Sequence, residues 1–303
     1  IKFNLMKYSY ILVLYISLTL LRSETGYPGL SIFSSSTDLS LGGSGYLKGS
    51  LLSSRLNPSV DFSNYFATSF IRYPASITSE NVGISFPFKS GSGSISIKHL
   101  SYGTFQGYDE SAIKTSNYSA KDLSLKGSYS KLLNGTPLRT GFSFQFLHSS
   151  LNNNELYLLS FSYGAIFLMK KTNIKIGVSI HEVGSQYFKS KDIYISSKSV
   201  YSFSKKLKHL PLEILFDFSR SNKKRDQELF FGGIFNINKK LEINFGTSSR
   251  KLSQDIKQSL ITSIFGATGL GFSYQINTLT IGYGSFIYNN GITIHGLDIG
   301  IPF

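Results

Sequence analysis

The stretch Gly291-Ile-Thr-Ile-His-Gly-Leu-Asp-Ile-Gly-Ile-Pro-Phe303 alternates. Leu297, Ile299, Ile301 and Phe303 share one parity, and Gly296, Asp298, Gly300 and Pro302 the other. Successive side chains of a strand point to opposite faces, so this stretch reads as a strand with one apolar and one polar side. A strand needs a partner along each edge, which raises the question of what pairs with this one. The same period recurs upstream. In the segment Thr136–Phe146, Phe142, Phe144 and Phe146 fall on one face and Gly141, Ser143 and Gln145 on the other. Asp122–Tyr129 sets Leu123, Leu125 and Tyr129 against Asp122, Ser124, Lys126 and Ser128. Asn277–Ser285 sets Leu279, Ile281 and Tyr283 against Thr280, Gly282 and Gly284. Each is a period-2 pattern with a polar second face. No helical period of comparable length follows residue 60, and a short helix is expected near Leu47–Arg55.

Counting such segments predicts about fourteen strands between Phe66 and Phe303. Their connections fall into two sets. One set is short and turn-like: Lys89–Gly93, Leu133–Thr136, Lys170–Asn173, Leu207–Leu210, Asn238–Lys240 and Ile276–Thr278. The other is long and polar, as in Gly103–Ser119, Gly184–Ser196, Ser221–Gln227 and Ser248–Leu260. Short turns at one end and long loops at the other is the layout of an outer-membrane barrel and not of a soluble sandwich. In a closed barrel the last strand pairs with the first, which leaves no edge exposed. The expected fold class is therefore all-β, a transmembrane antiparallel β-barrel of about fourteen strands.

Composition agrees with that reading. Of 303 residues, 41% are hydrophobic and only 16% charged, against about a quarter charged in a soluble domain. The aromatic residues are all Tyr (19) and Phe (25), and Gly numbers 28. There is no cysteine, which rules out disulfides and thiolate chemistry. The net charge is +14, but the basic residues come as pairs and short clusters at segment ends. That distribution argues against nucleic acid as a partner and fits anionic lipid or solvated loops. At the amino-terminal end Lys2 and Lys7 precede the apolar run Tyr10–Leu21. A charged start and a short apolar run make a secretory signal peptide, and the run is shorter than the roughly 20 residues of a spanning helix. The expected organisation is a signal peptide over 1–24, a plug segment over 25–62 and a barrel over 63–303.

The stretch Leu39–Asp61 holds the pair Gly42-Gly43 and the turn signal Asn57-Pro58. A phosphate-binding loop would need Gly-Lys-Ser/Thr, whereas Lys48 precedes Gly49. Tight turns against a barrel wall explain the glycines better. Enzymatic readings find little support. His99, His148, His181, His209 and His295 lack ligand spacing. No Gly-x-Ser-x-Gly elbow occurs, and His148 beside Ser149 and Ser150 reads as a loop histidine at a strand end. No catalytic, cofactor or metal residues are assigned.

The order of several motifs resembles the PorV/PorQ family of FadL-like outer-membrane proteins. Leu39–Gly45 followed by Asn57-Pro58-Ser59-Val60 resembles its "LGG…NPA" element, with Leu41, Gly42, Gly43, Asn57 and Pro58 as the matching positions and Ser59 in place of Ala. Leu100–Glu110 followed by Tyr118–Lys131, then Ser204–Ile214 and Leu229–Gly246, resemble its later strands. The resemblance is closer to PorQ than to PorV. It implies a fourteen-stranded barrel with an amino-terminal plug in the outer membrane of a Gram-negative bacterium, serving the type IX secretion system. Implied partners are a PorZ-like surface protein and other members of the complex that attaches cargo to lipopolysaccharide. Leu297, Ile299, Ile301 and Phe303 resemble the terminal signal read by the barrel-assembly machinery. Tyr108, Asp109, Glu110 and Tyr118 form a candidate partner loop, since interleaved aromatic and charged residues suit interfaces, although such aromatics also mark membrane interfaces. Lys223, Lys224, Arg225, Arg250 and Lys251 are candidate contacts to lipopolysaccharide phosphates. A FadL-like transporter of hydrophobic compounds is the other reading compatible with barrel and plug.

Loop asymmetry fixes a topology that can be measured. Cysteines introduced as Lys224→Cys and Arg250→Cys should react with a membrane-impermeant maleimide on intact cells, and Lys171→Cys should not. Labelling confined to position 171 would invert the barrel.

Overall fold

The computed structural model describes residues 32–151, 154–188, 191–194, 197–221, 227–249, 266–288 and 292–303. The expected signal peptide lies outside them. Among the described residues fifteen strands follow one short α-helix, α1 (Ser36–Ser40). The first seven strands are β1 (Tyr65–Arg72), β2 (Thr78–Phe88), β3 (Gly91–Phe105), β4 (Tyr118–Leu132), β5 (Leu138–Leu151), β6 (Asn154–Met169) and β7 (Ile174–Phe188). Then come β8 (Lys191–Tyr194), β9 (Lys198–Lys206), β10 (Leu212–Ser221), β11 (Gln227–Asn236) and β12 (Leu241–Ser248). The wall ends with β13 (Thr268–Ile276), β14 (Leu279–Ile287) and β15 (Thr293–Pro302).

Every neighbouring pair is antiparallel, and β15 pairs with β1 from Tyr65↔Pro302 to Arg72↔His295. That seam, with the β6–β7 pairing, closes the sheet into a ring of fourteen wall strands. β8 bonds only to the upper part of β7 and stands outside the ring. All fourteen expected strands are present. The expected helix near Leu47–Arg55 is not: that stretch is a series of turns and bends, and the helix sits earlier, at Ser36–Ser40. The helix starts where the Ser35 hydroxyl accepts the Asp38 N–H at 3.0 Å, a side-chain N-cap; in Leu47–Arg55 the Ser50 and Ser53 hydroxyls accept the Leu52 and Arg55 N–H groups at 3.2 Å and hold turns.

The alternation resolves into an inverted distribution of polarity. Phe142, Phe144 and Phe146 are 41–53% exposed on the outside, while Ser143 and Gln145 beside them are 3% and 8% exposed inside. The outer surface carries apolar residues from every sector, such as Phe70, Ile97, Leu125, Phe161, Phe203, Phe231, Phe272 and Ile299. Such an outer face is stable in hydrocarbon, and the closed ladder leaves no backbone polar group facing lipid. The chain spans the membrane as a transmembrane barrel.

The wall is uneven in height. Strands β3 to β7 have 14–16 residues, whereas the other wall strands have 8–11. Because the short turns share one level, the extra length projects at the long-loop end. Two bulges bend this tall sector. One lies between Ser101 and Gly103 on β3, where Gly103 has φ +92°. The other faces Ser162, where Glu182 has φ +61°.

The seam sets a test of closure. Removing Gly300–Phe303 deletes the pairs to Ala67, Phe66 and Tyr65 and the bond from Phe303 N–H to the Asn64 carbonyl (3.2 Å). The truncated chain should lose the compact, heat-modifiable band of a folded barrel on cold gels and fail to accumulate in membranes. A normal folded band would contradict the closed seam.

Candidate functional site

Residues 32–62 lie inside the barrel as a strap that meets wall strands round most of the ring. Inward side chains of the wall hold its backbone. Asn81 on β2 donates to the Ser34 carbonyl (3.0 Å), and Tyr73 donates to the Phe33 carbonyl (2.8 Å). Asp298 on β15 accepts the Ser36 N–H at 2.8 Å. Asp217 on β10 accepts the Gly45 N–H at 2.8 Å. Lys126 on β4 donates to the Ser53 carbonyl at 3.0 Å. Arg139 on β5 pairs with Asp61 at 2.9 Å. Carboxylates take N–H groups, and cations take a carbonyl or a carboxylate, so the four grips of Asp298, Asp217, Lys126 and Arg139 are charge-assisted.

Between the grips the wall lets the strap come close. A Cβ on Gly246, Gly269 or Gly284 would collide with the carbonyls of Leu41, Leu39 and Ser36 respectively. Gly141 meets the Pro58 carbonyl in the same way, and Gly164 meets the Asn57 side chain. On the strap side, Gly42 has φ +61°, and a Cβ there would sit 2.6 Å from the Gly246 carbonyl carbon. Only glycine serves both the conformation and the approach. Leu41 packs with Leu215 and Ile234. Asn57 is fully buried; its Oδ1 accepts the Ser59 N–H (2.9 Å) and its Nδ2 donates to the Val178 carbonyl (3.2 Å). Asn57-Pro58 therefore locks the turn against β5, β6 and β7.

Apolar contacts thicken toward the long-loop end. Phe33 and Leu39 pack with Ile71, Tyr73, Phe286 and Ile294. Tyr46 lies against Val200 and Phe230 and edge-on to His181, 5.5 Å between centroids. Arg55 places its guanidinium 4.8 Å from the Phe33 ring centre. Burial pushes the Asp38 carboxyl above the ordinary carboxylate range, against the opposing pull of Ser53, the Ser34 N–H, Arg55 and Ser35. Toward the short-turn end packing is looser. A cavity of about 400 Å³ opens there, lined by strap residues such as Lys48 and Phe62 and wall residues such as Asn244 and Asp298.

The candidate partner loop is an ordered hairpin at the top of the tall sector. Thr115 N–H donates to the Gly107 carbonyl (2.8 Å), and Tyr108 bridges to Lys114. Asp109 Oδ1 accepts the N–H groups of Ser111 (2.9 Å) and Ile113 (2.8 Å). These bonds turn Tyr108 and Ile113 outward, 58% and 63% exposed. Glu110 is exposed at the tip. Tyr118 is not a loop residue; it begins β4 and stacks on Phe105, 5.5 Å between centroids. Leu297, Ile299, Ile301 and Phe303 all face outward. Lys223, Lys224, Arg225, Arg250 and Lys251 lie outside the described residues.

The histidines are dispersed. His148 belongs to β5 and stacks on Tyr157 at 4.8 Å, so it is a strand residue and not a loop one. His99 lies 3.7 Å from Glu80, and His295 shares a hydrogen bond with the Tyr283 hydroxyl. Among the described residues no three His, Asp or Glu side chains gather in a metal-binding group. The wall charges that hold the strap escaped the sequence reading as site residues. Their signal was present: Lys126, Arg139, Asp217 and Asp298 are charges on the parity opposite the apolar residues of their strands.

The chain superposes on solved outer-membrane barrels. The Pseudomonas putida toluene transporter TodX superposes with a TM-score of 0.56 at 10% identity, covering 92% of this chain and 99% of that one. A TodX mutant described as a monoaromatic hydrocarbon channel gives 0.56 at 12% identity, with the same coverage. A Pseudomonas aeruginosa FadL homologue gives 0.54 at 9% identity, covering 90% of this chain and 99% of that one. The chain shares the fold of FadL-type barrels. No family model and no curated protein matches it.

Two substitutions test the strap. Asn57→Ala removes two bonds of a buried turn and should cost about 1–3 kcal/mol in denaturant unfolding. Gly246→Val should force the strap off β12 at a comparable cost of about 1–3 kcal/mol. Trypsin should then cut at Lys48 or Arg55 in the folded barrel, and the parent protein should resist.

Proposed function

We propose that this chain is a non-enzymatic barrel of a Gram-negative outer membrane that docks a surface protein, as a PorQ-like component of a type IX attachment complex. The β3–β4 hairpin carries the reading. It projects from the tallest part of the wall, holds its shape by its own hydrogen bonds, and offers Tyr108 and Ile113 to solvent. A preformed loop with an exposed aromatic and an exposed aliphatic side chain can anchor a partner at little ordering cost. The motif resemblance from Leu39 to Gly246 supplies the partner class, a PorZ-like surface protein. The strap supports a holding role, since its grips and glycine contacts occupy part of the lumen with the chain's own residues. A non-enzymatic role is supported by the ordinary partners of the described histidines.

Transport of hydrophobic compounds is the second reading. The fold it shares with a toluene transporter and a FadL homologue favours it, as do the two bulges that bend the tall sector.

Gene deletion separates the two. On the docking reading, type IX cargo leaves the cell surface for the medium, and deleting Gly107–Asn117 alone has the same effect while the barrel stays folded. Retained cargo with reduced uptake of a hydrophobic compound would replace docking by transport.

A further inference from the structure

The cavity at the short-turn end is lined by strap and wall together. Lys48, on a turn closed by its N–H on the Gly45 carbonyl (3.0 Å), lines its rim. Phe62 adds an aromatic ring, and Glu242, Asn244, Thr280 and Asp298 line it from β12, β14 and β15. The volume, about 400 Å³, is that of a small-molecule site. Asn244 is only 3% exposed, and its amide oxygen has no hydrogen-bond partner among the described residues. A buried acceptor left in that state costs about 1–3 kcal/mol.

The charge pattern selects the guest. An anion would be repelled by the carboxylates of Glu242 and Asp298. A cation would be repelled by Lys48. Asp61 does not alter the balance, because Arg139 neutralises it at 2.9 Å. A neutral molecule rich in hydroxyl groups satisfies both signs, since each hydroxyl donates to a carboxylate or amide oxygen and accepts from an ammonium or a threonine. Phe62 adds an apolar surface suited to the C–H face of a sugar ring. We infer that this cavity is a binding site for a small neutral polyhydroxylated molecule of the monosaccharide class, held between strap and wall at the short-turn mouth. The inference is independent of the docking reading, because it concerns the opposite end of the barrel.

The experiment uses the purified full chain in an amine-oxide detergent, so that no sugar headgroup competes. Calorimetry and saturation-transfer NMR are run with glucose and N-acetylglucosamine, alongside putrescine and citrate as a cation and an anion. The expected result is saturable binding of a hexose, with no binding of the two ions. Glu242→Gln and Thr280→Val each remove one contact and should weaken the hexose about tenfold. Both variants are checked for the folded, heat-modifiable band, and whichever one folds suffices. Saturable binding of putrescine or citrate in place of the sugars overturns the assignment. So does hexose binding that every folded variant leaves unchanged, or no saturable signal from any probe, which would mean that the cavity holds water alone.

Discussion

In the hydrocarbon core of a bilayer no water competes for backbone hydrogen bonds, so the chain must satisfy every N–H and C=O itself. The ring from β1 to β15 follows from that requirement. The seam at Tyr65↔Pro302 through Arg72↔His295 removes the last unpaired edges. Once the ring exists, the polarity of each strand is settled. Phe142, Phe144 and Phe146 go to lipid, while Ser143 and Gln145 go inside. The interior then inherits the polar half of every strand, and the chain must satisfy those groups too.

The strap answers that second demand. It brings polar groups to the inward wall side chains: Asp217 and Asp298 each take a backbone N–H, Lys126 takes a carbonyl, and Arg139 takes the Asp61 carboxylate. A segment thick with side chains could not come so close. Glycines on both strap and wall remove the obstructing Cβ atoms, as where Gly42 faces Gly246.

Much of the wall was legible in the sequence, because one physical cause, lipid outside and polar groups inside, repeats along every strand. The Phe142–Phe146 alternation and the two classes of connection carry that cause directly. Finer features were less legible for definite reasons. The apolar spacing of Leu47, Leu51, Leu52 and Leu56 imitates a helix, but those side chains are buried by a turning backbone. Tyr118 read as part of a polar loop because a stacking partner, Phe105, lies thirteen positions away and on another strand. The role of Asp298 depends on Ser36, a partner 262 residues earlier, which no local pattern reveals. Asn57-Pro58 did show, since a turn residue that bonds its own backbone acts locally.

That long-range pairing bears on the order of assembly. Strap residues precede every described strand, yet the bond at Ser36 waits for Asp298 on β15. The same strand carries the closing seam with β1. Arrival of the final strand thus completes the wall and adds the last grip on the leading end of its filling in one step. A barrel caught short of that step is unzipped and lacks the Ser36 grip.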